Sequence, residues 1–215
     1  MESTSTPAAA GPRRAGRRRR WFRGTQDRQR GATLVEAALV TPVFFLMVFA
    51  LMDGAWVLYG DHVIRGSASA GVRSASALAN DGDADYQALA AVRRNIATIG
   101  SDKLVRVVVY RANGYGDQPT SDCRGGTPVA GVCNVYDGSD LTRAASEFGC
   151  TPGVSPDRYW CPLTRKTATS GPNSPPDYIG VWIRARHVPL TGVIIDADRY
   201  VETHSVLRVE PRSSE

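Results

Sequence analysis

Apolar and polar positions follow three different patterns along the chain. Residues 1–30 mix Ser, Thr, Pro, Gly and Arg with little that is apolar beyond Trp21 and Phe22, a composition that predicts disorder. From Ala37 to Met52 the sequence AALVTPVFFLMVFALM runs sixteen residues without a charge, and the wider window Ala32–Tyr59 is interrupted only by Glu36 and Asp53. A bilayer core takes about 20 apolar residues at 1.5 Å of rise each, so this window predicts a transmembrane helix over 32–59. The alternative is a buried core helix, for which sixteen residues without a polar face would be odd.

Beyond Tyr59 the period sets the expected elements. Between Asp61 and Ala79 the chain is rich in Gly, Ala and Ser. Ile64, Ala68, Val72, Ala75 and Ala79 recur at steps of three or four, which predicts an outward continuation of the first helix. Ser67-x-x-x-Gly71 permits close approach, either of a neighbouring helix or of the domain's own sheet. Asn80-Asp81-Gly82-Asp83 reads as a turn leading into a second helix, with Tyr86, Leu89, Val92, Ile96 and Ile99 on one face. After Gly100 the period becomes two. Leu104–Tyr110, Tyr178–Val188 and Tyr200–Glu210 read as three strands, and their charged positions predict an antiparallel sheet with one face on the helix and the other in water. A long insert rich in Gly, Pro, Ser and Asp, residues 113–176, separates the first two strands; Leu141–Phe148 within it has room for a helical turn or two.

Charge adds a direction. The net +5 divides unevenly: nine arginines oppose Glu2 and Asp27 within residues 1–31, a local net of +7, while the other 184 residues carry 17 basic and 19 acidic side chains. The folded part is thus mildly acidic, and nucleic-acid binding is not expected of it. Basic residues collect on the cytoplasmic side of a span. The tail is therefore expected inside the cell and residues 60–215 outside.

Processing signals sharpen this reading. A secretory cut at Ala68-Ser69-Ala70 would lie far past the apolar stretch, and Arg19-Arg20-Trp21-Phe22 has only the outline of a twin-arginine signal. Gly31-Ala32-Thr33-Leu34-Val35-Glu36 fits better. It resembles the type IV prepilin cleavage motif, with Gly31 after a basic leader and Glu36 fifth in the mature chain, although Ala32 stands where Phe is common. The small Gly31 leaves the scissile bond open at the membrane edge. The segment Gly31–Leu58, followed by Val63-Ile64-Arg65-Gly66-Ser67-Ala68-Ser69-Ala70-Gly71-Val72-Arg73, is similar to the TadE-like family, minor pilins or pseudopilins of the tight-adherence (Tad) type IV pilus system. That resemblance implies cleavage between Gly31 and Ala32 by a prepilin peptidase. It also implies pairing of Glu36 with the new N-terminal amine of a neighbouring subunit. Pro42 occupies the family's early proline, where it would favour a kink, and Asp53 the second acid, roughly 26 Å beyond Glu36 on an ideal helix. A carboxylate at the edge of a span is costly unless paired, so Glu36 is a functional candidate on physical grounds too.

Four cysteines, Cys123, Cys133, Cys150 and Cys161, all lie in the insert. An even count outside the cytoplasm predicts two disulfides, and the pairings Cys123–Cys133 and Cys150–Cys161 close the shortest loops. No C-x-x-C occurs and no His accompanies the cysteines, so no metal site is expected. His62, His187 and His204 are scattered, and no nucleophile elbow or phosphate loop occurs. The chain is expected to be non-enzymatic and to need no cofactor.

The expected architecture is α+β. It has a disordered leader (1–31), a transmembrane helix (32–59), and a small pilin-like extracytoplasmic domain (60–215) with an antiparallel sheet of about three strands. Partners implied by the resemblance are the major and other minor pilins, the prepilin peptidase, the assembly platform and the membrane. The alternative is a membrane-tethered or secreted ligand-binding or enzymatic domain.

Overall fold

The computed structural model describes residues 23–78, 80–167, 175–193 and 199–210. Residues 1–22 of the expected leader, Ala79 and Pro211 lie outside the described residues. Helix α1 spans Arg23–Leu78 with Pro42 inside it, and so begins eight residues before Gly31, within the stretch whose composition predicts disorder. Then follow α2 (Ala84–Ile96), β1 (Leu104–Ala112), the short α3 (Ser121–Gly125), β2 (Cys133–Asp137), β3 (Tyr178–His187) and β4 (Arg199–Arg208). The chain divides into two compact units, residues 1–48 and 49–215.

The second unit is an α+β domain built on a four-stranded antiparallel sheet, ordered β2-β1-β3-β4. The sequence predicts about three strands; the fourth, β2, comes from the insert and pairs with β1 from Arg106↔Asp137 to Tyr110↔Cys133. Five residues with Asn134 and Asp137 among them give too weak an alternation to announce a strand, and its place at the sheet edge is fixed by β1. A bidentate pair locks the register, since Arg106 Nε and Nη2 donate to the two Asp137 carboxylate oxygens at 2.7 Å each.

One face of the sheet carries the helices. Ile64, Ala68, Val72 and Ala75 of α1 and Ala88, Leu89, Val92 and Ile96 of α2 pack on Val107, Val109, Ile179, Val181, Ile183 and Ala185. Each fully buried Val or Ile contributes about 1.5–3 kcal/mol. Gly71 lets the layers meet, because a Cβ there would come within 2.6 Å of Val92 and 3.4 Å of Val181. The small pair Ser67-x-x-x-Gly71 is thus used inside the domain. Ser76 Oγ donates to the Arg208 carbonyl at 2.7 Å and ties the end of α1 to the end of β4.

The other face differs from expectation. It is not left to water: Val108, Tyr110, Ala112, Trp182 and Val206 form a second buried cluster with Cys123 and Cys133. The insert folds over this face, which explains the uninterrupted run Val107-Val108-Val109 in a strand buried on both sides. Gly180 gives the Tyr110 ring a flat place to lie, since a Cβ there would overlap the ring, and the Tyr110 hydroxyl donates to the Asp117 carbonyl.

Two disulfides are formed, Cys123–Cys133 and Cys150–Cys161, with Cα separations of 6.3 and 5.4 Å. They pair the cysteines that are nearest in sequence. The expected helical turns over 141–148 are two 3-10 turns, Gly138–Thr142 and Ala145–Glu147.

Candidate membrane and assembly helix

The sequence-derived candidates Gly31, Ala32, Glu36, Pro42 and Asp53 all lie on α1. Among the described residues of the first unit, the apolar side chains of α1 are left uncovered. Leu34, Leu39 and Val40 are 72%, 71% and 65% exposed, and Val43, Phe44 and Met47 are similarly open. So much exposed apolar surface on one helix marks a lipid or protein contact. Among the described residues one helix, within Gly31–Leu78, is long and apolar enough to cross a membrane. Phe44 and Phe45 stack edge to face with centroids 5.9 Å apart.

Glu36 is exposed one turn beyond Ala32, so both project from one side of the helix. Pro42 has no amide hydrogen, which leaves the Ala38 carbonyl without its usual donor, while α1 runs on through it. Asp53 differs from these in being buried, at 1% exposure. Its carboxylate accepts from the Thr191 amide at 2.9 Å and the Thr191 hydroxyl at 2.6 Å, in the connection between β3 and β4. One turn on, Trp56 Nε1 donates to the Val188 carbonyl at 3.3 Å, and its ring stacks on Tyr59. Arg65 pairs with Asp61 of its own chain at 2.8 Å.

The domain behind this helix is held by a buried polar knot that sequence reasoning missed. Asp85, at the start of α2, accepts from Arg165 Nη2 (2.6 Å), Asn134 Nδ2 (2.8 Å) and the Tyr136 hydroxyl (2.5 Å). Neither side chain of the Asp85–Arg165 pair is exposed at all. The guanidinium also lies over the Trp160 ring at 4.3 Å. Burial, reinforced by the Asp85 charge, holds the Tyr136 hydroxyl well above its ordinary pKa, so it stays a donor. Nearby, Asp157 accepts from the Gly149 and Cys150 amides, and burial pushes its carboxyl above the usual carboxylate range against those two bonds. His187, buried at the end of β3, is held below its ordinary value by desolvation and then by the Arg199 charge.

Among the described residues no group of three or more His, Cys, Asp or Glu is placed to hold a metal ion. These features define an α+β protein with one long apolar N-terminal helix and a disulfide-stapled domain on an antiparallel sheet. The family model of the TadE-like protein matches residues 31–73, from the glycine of the cleavage motif through the small-residue part of α1. The match covers about a fifth of the chain. No curated protein and no solved structure matches the chain.

Proposed function

We propose that the chain is a minor pilin or pseudopilin of a tight-adherence type IV pilus, with an assembly role and no catalytic one. The observation that carries this reading is the coincidence of the TadE-like match with an exposed, uncharged helix headed by Gly31, Ala32 and Glu36. Residues 1–31 are the Arg-rich leader on the cytoplasmic side, residues 32–59 the transmembrane helix, and residues 60–215 the extracytoplasmic domain. The prepilin peptidase cuts between Gly31 and Ala32. This frees an α-amine that is largely protonated at neutral pH. In the low dielectric between packed helices that cation and Glu36 of a neighbouring subunit attract strongly, which selects the stagger of adjacent helices. Pro42 supplies a weak point for bending as the helix leaves the bilayer. The other partners are the major pilin, further minor pilins and the assembly platform, and the outcomes served are adhesion, biofilm formation and secretion.

Mass spectrometry of the protein isolated from the membrane tests this. A mature chain starting at Ala32 is expected. An intact Met1 would reduce the protein to a tethered single-pass module, and a start beyond Ala70 would make it a secreted domain.

A further inference from the structure

The buried Asp53 gives the β3–β4 connection an address. Asp53 follows Met52, the last residue of the uncharged run, so on a spanning helix it stands where the apolar core of the bilayer ends. Its two bonds from Thr191, at 2.9 and 2.6 Å, bring that loop residue to the same level. The Trp56–Val188 bond fixes the loop a second time, one turn further along. On either side of Thr191 stand Leu190 and Val193, 54% and 50% exposed. Apolar side chains exposed in a connection that is clamped to a helix where it leaves lipid have little reason to face water.

We infer that residues 188–193 form a second membrane contact, in which Leu190 and Val193 enter the lipid surface beside the helix while Asp53 holds the loop at that depth. The occupant is the phospholipid interface itself. Trp56 stacked on Tyr59 adds the aromatic pair favoured at headgroup level. Behind Leu190 lies a cavity of about 200 Å³, also lined by Lys103, Arg186 and His187. Lys103 is already paired with Asp102 at 2.8 Å, so the apolar side chains carry the contact and charge plays the lesser part. With two points of attachment instead of one, the domain would be oriented on the bilayer before it meets a partner.

The inference rests on the spanning helix of the proposed function, and the test separates the two. The full chain, with its disulfides intact, is reconstituted into phosphatidylcholine vesicles. A single fluorophore is attached at L190C, V193C, F44C or Y115C. Tyr115 is 70% exposed and follows the end of β1 that pairs with Tyr178, opposite the end that pairs with Ala185 near the loop. Brominated lipid is expected to quench the Leu190 and Val193 probes roughly threefold more than the Tyr115 probe, with aqueous iodide giving the reverse order. If the Phe44 probe is quenched by lipid but the two loop probes behave like Tyr115, the loop contact is wrong and the span stands. If the loop probes resist both quenchers, protein covers them and the lipid assignment is overturned. If lipid fails to quench even Phe44, the spanning helix falls and the loop contact falls with it.

Discussion

Asp85 sits on α2 without exposure and holds Arg165, Asn134 and Tyr136 at once. Such a group is stabilising only while every partner is present, because the guanidinium it neutralises is buried too. Asp85→Ala strands the Arg165 charge, and unfolding in urea is expected to show a loss of about 3–5 kcal/mol. Pairing it with Arg165→Met should recover much of that loss by removing the orphaned charge. A single variant as stable as the parent would mean that water reaches Arg165 and the knot is not sealed. In the sequence Asp85 is only an acid in the first turn of a helix. Its partners are 49, 51 and 80 residues away, and no local pattern reveals that the chain returns to it.

Elements separated by similar distances explain which parts of the fold were readable. Helix α2 and strands β1, β3 and β4 are long enough to show their period; α2, β1 and β3 bury the face their pattern marks, while the one buried residue of β4, Val206, lies on the side that carries Glu202 and His204. Strand β2 has five residues and a polar interior position, so β1 and the Cys123–Cys133 bridge make it a strand where its own composition does not. The insert's cover of the second sheet face was hidden for the same reason. Its contacts come from Cys123 and Val129, scattered among Gly and Pro, and not from a periodic stripe. The Cys150–Cys161 staple closes a loop that also carries Asp157 and Trp160. Replacing both cysteines by serine is expected to lower stability by about 3 kcal/mol, read as a fall in thermal midpoint that added reductant no longer deepens through this bridge. An unchanged midpoint would show that the buried contacts of Trp160 and Asp157 hold the loop without the bridge.

For the whole molecule, the decisive property is that one helix serves two environments. From Leu34 to Met47 its apolar side chains lie exposed, and from Ile64 to Ala75 its small apolar stripe belongs to the core of the sheet domain. Glu36 belongs to the first part and is predicted to act between subunits. Glu36→Ala should leave cleavage and membrane insertion intact while reducing incorporation into filaments at least about tenfold. This is the effect of losing one ion pair of about 1.4 kcal/mol or more in a dry interface. Immunolabelling of sheared filaments reads this directly, and normal incorporation would remove the pairing role.

The amino-acid sequence by itself determined the long apolar helix, the acids that bracket it, the α+β order of elements and the local pairing of the cysteines. Those features depend on period, charge and separation along the chain, all of which are local quantities. Tertiary structure alone decided that Asp53 is clamped to Thr191, that Asp85 meets Arg165, and that the insert covers the sheet's second face with a fourth strand at its edge. Each of these joins residues distant in sequence, and whether a polar group is worth burying depends on the partner the fold delivers to it.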